Sequence, residues 1–335
     1  MNHNYKILYI NSLILSSLLT ISSSSWFSMW VGLEINLLSI IPLMASNENI
    51  FRSESGMKYF ITQALASGLL MFSVILINLT DSSPFIVSSP TMIFYSALMM
   101  KMGMAPFHFW FPEVLEGLNW DNCLILLTWQ KIAPSCVLMY FMAPNQMIAA
   151  IIATSTIISS LMGMKQTSIR KILAYSSINH MAWLLAAMMV SPALWLMYFL
   201  IYSFTNLAII ILIKKLKTHE INQLNSASSS KMLSKTMFML NLLSLGGLPP
   251  FIGFLPKWLT IMDMTLMEIL SMTIMMILFT LITLYFYMRL GFSTFFMKSS
   301  KKPKFFKFSL PKWIPIINAI LILSLVIIPP LCNTS

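Results

Sequence analysis

The chain has 335 residues, of which 58% are hydrophobic and only 9% are charged. A soluble domain carries about 25% charged residues, so this composition is typical of a protein embedded in a lipid bilayer. The formal net charge is +11. Because the basic residues are dispersed rather than clustered, they argue against a nucleic-acid partner and favour a role in membrane topology.

The apolar runs predict an all-α, polytopic membrane protein, since each transmembrane helix needs about 20 apolar residues. Eleven runs are long enough, and their approximate cores are residues 5–22, 26–45, 57–79, 91–114, 121–143, 147–164, 169–190, 193–213, 236–265, 268–290 and 312–331. The first run also resembles a signal peptide. Because a short polar segment, residues 22–25, leads straight into the second run, we expect a retained helix.

The distribution of Lys and Arg supports these eleven spans. When the loops are placed alternately on two sides of the membrane, every loop Lys and Arg falls on the side of the amino terminus, here called side A. The loops of the opposite side, side B, carry only acidic charges, at Asp81, Asp263 and Glu268. Side A is therefore predicted to be the cytoplasm or the mitochondrial matrix, because positively charged loops are retained there.

Two polar segments are long enough to form substantial loops. Residues 214–235 are predicted to be a solvated connector, and residues 298–312 a basic loop that could meet anionic lipid headgroups. The chain is predicted to form a single transmembrane domain, 1–335. Its parts are a first half (1–143), an inverted second half (147–290), a basic loop on side A (291–311) and a final helix (312–331).

Two predicted spans contain proline and glycine where a continuous helix would avoid them. A break is predicted at Pro106 in the fourth span, and at Gly246, Gly247, Pro249 and Pro250 in the ninth. Proline lacks an amide donor and clashes with the preceding turn, so both helices should be discontinuous near mid-membrane, beside a hydrated interior. The two spans have opposite orientations, which predicts an inverted repeat of the first five and the next five spans. Two unrelated proline kinks are the simpler alternative.

Four ionisable residues lie inside predicted spans rather than at their ends. They are Glu34, Lys101, Lys131 and Lys257, and each is expected to cost at least about 2.5 kcal/mol at membrane depth. Glu34 is expected to be neutral or to lie near a cation, with a structural hydrogen bond as the alternative. A buried lysine can gain and lose its proton near neutrality, which is the property that a proton relay needs. For Lys257, snorkelling to the nearby side B surface is the alternative.

His108 and His180 also lie inside predicted spans. They could form a secondary proton path, because histidine changes charge near neutral pH, although a satisfied hydrogen bond between helices explains each equally well. The three cysteines have the spacing of neither a disulfide framework nor a zinc site. The 30 methionines lack the His or Cys partners of a copper site, so we predict no metal.

Five motifs in order along the chain resemble one protein family. They are residues 32–37, 101–112, 128–134, 170–180 and 246–258. In these motifs the chain is similar to the NADH dehydrogenase subunit 2 family, whose members are antiporter-like, proton-pumping subunits of mitochondrial respiratory complex I. Full antiporter-like subunits have fourteen helices, and the eleven predicted here match the animal mitochondrial members, which lack the first three.

The resemblance implies proton translocation without redox chemistry in this chain. By position, Glu34 matches the membrane glutamate that modulates Lys101 through its charge, and Lys101 matches the lysine of the first broken helix. Lys131 matches the central lysine that passes protons along, and Lys257 the terminal lysine or exit element. Protons would enter from side A and leave towards side B. NADH, FMN, iron–sulfur clusters and ubiquinone would be bound by other subunits, so no cofactor is expected here.

The implied location is the mitochondrial inner membrane, with the amino terminus and the basic loops on the matrix side. The implied partners are the other complex I membrane subunits, especially neighbouring antiporter-like subunits, together with membrane lipids such as cardiolipin, internal water and protons. A free-standing cation/proton antiporter is the competing hypothesis, because the family resembles such carriers. A structural membrane scaffold without an ion path is a third.

Overall fold

The structure is a computed structural model of the chain. It describes residues 3–45, 50–79, 88–141, 146–216, 218–221, 223, 232–249 and 251–296. The α-helices are α1 (His3–Ser22), α2 (Trp26–Met44), α3 (Ile50–Leu79), α4 (Ser88–Met102), α5 (Trp110–Gly117), α6 (Trp120–Leu127), α7 (Ile132–Tyr140), α8 (Gln146–Met164), α9 (Ile169–Val190), α10 (Pro192–Leu216), α11 (Met232–Gly246), α12 (Phe254–Leu266) and α13 (Leu270–Phe296). A 3-10 turn, Trp129–Lys131, separates α6 from α7.

These helices confirm an all-α, polytopic membrane fold. In the part of the chain that the structure describes, eight helical stretches are long and apolar enough to cross a membrane. Each of the first ten predicted spans corresponds to one or more helices, and the fourth, fifth and ninth are divided into α4 and α5, α6 and α7, and α11 and α12. The predicted final helix, 312–331, and most of the predicted basic loop, 291–311, lie outside the described residues.

Helix α3 begins at Ile50, before the predicted start of its apolar run at residue 57. The additional turns carry charges that suit an aqueous boundary. Lys58 lies 3.1 Å from Glu54, one turn earlier, and 2.9 Å from Glu113 of α5. Such exposed ion pairs are each worth at most about 1 kcal/mol, so they favour the extension of α3 and its contact with α5 only modestly.

The chain divides into two compact units, Met1–Ile151 and Ile152–Ser335. In the first unit, α1 packs along α2, and α3 packs against α2, α4 and α5. The approach of α1 to α2 depends on Gly32, because a Cβ atom there would lie 2.5 Å from Cγ2 of Thr20. Helix α2 also packs against α3 and α7, and its Asn36 accepts a hydrogen bond from Gln130 of the α6–α7 break.

In the second unit, α9 is the central helix, and 18 of its 22 residues are buried. It packs against α10, α12 and α13, while α11 packs against α10 and α13. A helix enclosed in this way carries no wide polar face, so its buried polar groups must find partners on neighbouring helices. His180 and Asn179 of α9 are both buried.

Candidate functional site

Lys101 lies in the last turn of α4 and is 8% exposed. The helix ends at Met102, four residues before Pro106, because Gly103 adopts a left-handed conformation with φ of +72°. The Gly103 amide then bonds to the carbonyl oxygen of Met100 at 3.2 Å, a common way to end a helix. The predicted break is therefore present, but glycine ends the helix, and Pro106 lies in the irregular segment that follows.

Lys101 lines a small polar cavity in the first unit. The other lining residues are Leu33, Asn36, Leu37, Tyr59, Gln63, Gln130 and Pro134. The volume open to the centre of a water molecule is about 20 Å³, and a single buried water needs roughly 10 to 15 Å³. The cavity therefore has room for a water molecule beside the lysine.

Glu34 is half-buried on α2, next to Leu33 of the cavity wall. Its Oε1 atom is buried, and no donor among the described residues lies within hydrogen-bonding distance. Among the described residues, no salt bridge of 4.0 Å or less joins this carboxylate to Lys101. The role of Glu34 as a modulating charge on Lys101 therefore stays a prediction.

Lys131 is the last residue of the 3-10 turn between α6 and α7 and is 2% exposed. Its ammonium nitrogen lies 5.1 Å from the centre of the Phe111 ring, within the range of a cation–π contact. This third break was not predicted from the sequence. Pro134 is the signal that could have revealed it, because proline has no amide to bond the carbonyl of Gln130 four residues earlier.

His108 lies in the irregular segment between α4 and α5 and is 2% exposed. Its Nδ1 atom donates to the carbonyl oxygen of Pro106 at 3.3 Å, and its ring lies 4.4 Å from that of Phe109. The bond to Pro106 stabilises the break itself. It fits the structural interpretation of this histidine, and the proposed proton path through it stays a prediction.

In the second unit, Lys257 lies in the first turn of α12 and is 6% exposed. Its ammonium group donates to the carbonyl oxygens of Gly246 at 2.9 Å and Leu245 at 3.4 Å. These are the last carbonyls of α11, which have no partner within the helix. The lysine therefore points into the break between the two helices.

The break between α11 and α12 lies at the predicted positions. Helix α11 ends at Gly246, and Gly247 has a φ of +76°. Pro249 lies in the turn that follows, and Pro250 lies outside the described residues. The two helices also approach closely at Gly253, where a Cβ atom would overlap the carbonyl of Ser244. Glycine is thus required on both sides of this break.

His180 is 4% exposed on α9. Its Nδ1 atom lies 3.1 Å from the hydroxyl of Tyr198, and its ring centre lies 5.1 Å from that of Tyr202. One turn further along α9, the Trp183 ring lies 5.9 Å from the Lys257 ammonium. The structure therefore places His180 in a polar and aromatic cluster near the second break, and no sequence pattern predicted its tyrosine partners.

Sequence reasoning also missed the polar residues that surround Lys101. Tyr59, Gln63 and Gln130 all line its cavity, and Gln63 donates to the Lys101 carbonyl at 3.4 Å. Gln63 lies in the middle of the third apolar run, where an uncharged amide is costly unless it finds a partner. A polar amide inside an apolar run was therefore the sequence signal that could have revealed Gln63.

In the described residues, no group of three or more His, Cys, Asp or Glu side chains could hold a metal ion.

Comparisons with known proteins agree with this geometry. A family model described as NADH:quinone oxidoreductase/Mrp antiporter, TM, matches residues 23–285. NADH-ubiquinone oxidoreductase chain 2 of Anopheles gambiae is 48% identical over 297 residues, which cover 88% of this chain and 87% of that protein. The protein of the same name from Locusta migratoria is 44% identical over 301 residues, with coverages of 88% and 87%.

Two solved structures share the fold. A chain of respiratory complex I from Thermus thermophilus superposes with a TM-score of 0.85 at 23% identity, covering 97% of this chain and 79% of that one. A chain of the Mrp complex from Dietzia sp. superposes with a TM-score of 0.76 at 16% identity, covering 87% and 60%. By these matches, the chain belongs to the NADH:quinone oxidoreductase/Mrp antiporter family of membrane subunits and, within it, to the group of NADH-ubiquinone oxidoreductase chain 2.

Proposed function

We propose that the chain is the antiporter-like subunit 2 of the membrane part of NADH:ubiquinone oxidoreductase, and that it translocates protons. Electron transfer from NADH to ubiquinone is performed by other subunits. The observation that carries the proposal is that Lys101, Lys131 and Lys257 each lie buried at a break in a membrane-crossing segment. A buried cation is costly in a membrane, and three at such positions favour a functional use.

In the first unit, Glu34, Lys101 and the cavity supply the parts of a controlled proton site. A carboxylate beside an ammonium group favours its charged form, so movement of the Glu34 charge would govern when Lys101 releases its proton. The cavity has room for a water molecule that could carry that proton. Lys131, on the adjoining break, is the next acceptor along the chain.

In the second unit, Lys257 is the proposed terminal lysine. Its ammonium group is held by the free carbonyls of α11, which carry the partial negative charge of a helix C-terminus. Release of the proton would weaken these bonds, so the protonation of Lys257 is coupled to the conformation of the break. His108 and His180 form the proposed secondary path.

The proposed partners are neighbouring antiporter-like subunits, other membrane subunits and anionic lipids, including cardiolipin. The proposed location is the mitochondrial inner membrane, with side A facing the matrix and proton uptake from that side. NADH, FMN, iron–sulfur clusters and ubiquinone would be bound elsewhere in the complex. The names of the two relatives described above, at 48% and 44% identity, favour a complex I subunit over a free-standing cation/proton antiporter.

The replacement Lys131→Met tests this function in the assembled complex, reconstituted into sealed liposomes. Protons translocated and NADH oxidised are measured together. We expect proton translocation to fall by about tenfold or more. NADH oxidation should fall with it but by a smaller factor, so that fewer protons are translocated per NADH, while the amount of assembled complex is unchanged. The fall is expected because methionine fills the same space but cannot accept a proton.

Lys165→Met is the matched control, because it removes a lysine that is exposed in the turn between α8 and α9. This control should pump normally. A normal ratio of protons to NADH in the Lys131→Met complex would contradict a relay and favour a structural scaffold. A purified, monodisperse single chain that exchanges Na⁺ for H⁺ would instead support the free-standing antiporter.

A further inference from the structure

Three polar side chains from three different elements form a hydrogen-bonded chain in the first unit. The Gln130 side-chain amide donates to Oδ1 of Asn36 at 2.7 Å, and the Tyr59 hydroxyl donates to Oε1 of Gln130 at 3.3 Å. Asn36 belongs to α2, Tyr59 to α3, and Gln130 to the 3-10 turn. The glutamine is therefore the central member, and it uses both ends of its amide.

This chain connects the Lys101 cavity with the break that carries Lys131. Asn36, Tyr59 and Gln130 all line the cavity together with Lys101, whereas Lys131 does not. Gln130 and Lys131 are consecutive residues of the same short turn. Gln130 therefore connects the turn that carries Lys131 with the cavity that Lys101 lines.

The turn needs such an anchor because its own backbone bonds are few. Pro134 cannot donate to the carbonyl of Gln130, and a 3-10 turn is a less stable arrangement than the α-helix on either side. Asn36 is 4% exposed and Tyr59 is 3% exposed, so their bonds to Gln130 are largely shielded from competing water. The Tyr59 ring is fixed in turn by edge contact with Trp110 of α5, at 5.6 Å.

We propose that Gln130 is a positioning residue, which holds the Lys131 turn in register with the Lys101 cavity so that protons pass between the two lysines. Asn36 and Tyr59 fix its amide from either side. This inference rests on the proposed function, because it assigns Gln130 a role in the transfer between these two sites. An amide can serve here without titrating, since it offers a donor at one end and an acceptor at the other.

A purely structural role for Gln130 has a different consequence. Loss of a structural hydrogen bond lowers the yield or the thermal stability of the complex, but each complex that assembles still moves the normal number of protons. A positioning role changes the number of protons translocated per NADH oxidised in complexes that are fully assembled. The ratio therefore separates the two roles.

The test compares Gln130→Leu and Tyr59→Phe in the assembled complex, reconstituted into liposomes. Leucine has a similar volume and removes both hydrogen bonds, while phenylalanine removes one hydroxyl and keeps the ring. We expect Gln130→Leu, which loses both bonds, to lower the number of protons translocated per NADH by about threefold to tenfold, and Tyr59→Phe, which loses one, to lower it less. The double variant should match Gln130→Leu alone, because both changes break the same chain.

Ser135→Ala is the control, because its hydroxyl lies near the turn but donates to the Ile132 carbonyl of its own helix. A Gln130→Leu complex with the same proton ratio as this control would overturn the inference. If Gln130→Leu fails to assemble, a normal ratio in Tyr59→Phe would overturn it equally. Lys131→Met, measured alongside, distinguishes failure of this inference from failure of the proposed function. A low proton ratio in Lys131→Met leaves the proposed function standing, and a normal ratio there contradicts the proposed function.

Discussion

At the scale of single residues, the left-handed conformation of Gly247 determines how Lys257 meets the end of α11. Gly247 has a φ of +76°, and a Cβ atom there would lie 2.8 Å from Cδ and 3.0 Å from Nζ of Lys257. Only glycine leaves room for the ammonium group to reach the Gly246 carbonyl at 2.9 Å. The break and the position of the lysine therefore depend on the same residue.

Gly247→Ala should impair both stability and pumping. A non-glycine residue in this conformation costs roughly 1 to 2 kcal/mol, and the added methyl group must also displace Lys257. We expect faster thermal inactivation of the assembled complex and a lower ratio of protons to NADH. Both are measured on the same reconstituted preparation.

Gly68→Ala is the matched control, because Gly68 is exposed on α3 and no atom lies within 4 Å of an added Cβ. Alanine is favoured over glycine within a helix by about 1 kcal/mol, so this variant should be neutral or slightly more stable. Equal behaviour of the two alanine variants would show that the Gly247 conformation is unimportant.

At the scale of elements, the turn between α8 and α9 is held from two directions within the second unit. Arg289 of α13 donates to the carbonyl oxygens of Met164 at 2.8 Å and Gln166 at 2.7 Å. On the other side, Ser168 pairs with Glu220 in an isolated β-bridge. The described residues 218–221, which follow α10, are therefore attached to the start of α9.

This attachment should depend on pH through His219. Arg170 Nη2 donates to Nδ1 of His219 at 2.8 Å, which requires that nitrogen to be unprotonated. Partial burial and the nearby Arg170 charge lower the pKa of His219 below its usual value of 6.5, and Glu220 opposes this. The attachment is thus fully present above pH 6.5 and is lost as the pH falls through the lowered pKa.

Hydrogen exchange at two amides measures this effect. The Ile169 amide donates to the His219 carbonyl at 3.0 Å, and the Ile221 amide donates to Thr167 at 3.3 Å. After correction for intrinsic chemistry, we expect their protection to decrease below about pH 6.5, the usual pKa of histidine. His219→Gln keeps an acceptor for Arg170 but cannot titrate, so its protection should be independent of pH. The same pH dependence in that variant would exclude His219 as the cause.

The sequence predicted elements better than contacts, for a physical reason. The breaks beside Lys101 and Lys257 are encoded locally by glycine and proline, and both were found where expected. The break beside Lys131 was missed, because only one proline marks it. The chain through Gln130 joins residues 94 and 71 positions apart, so it depends on how helices pack, and no local pattern reports it.

At the scale of the whole molecule, each compact unit contains a broken membrane-crossing segment with a lysine at the break. The first unit also carries Lys131, and the inverted relation of the two halves stays a prediction of the sequence. The predicted topology implies a definite order of membrane crossings within the second unit. Helix α9, helix α10 and the broken segment of α11 and α12 are expected to form three crossings between the turn at Thr167 and the last turn of α12, which contains Thr265.

Two single cysteine variants test this order. Thr167→Cys and Thr265→Cys both replace exposed residues, and a membrane-impermeant maleimide labels a cysteine only from the side on which it lies. Because three crossings separate them, we expect the first to react only when side A faces outwards and the second only when side B does. The unchanged chain, with its own cysteines, gives the background. Labelling of both positions from one side would mean an even number of crossings, so the segment of α11 and α12 would have to enter and leave by the same face.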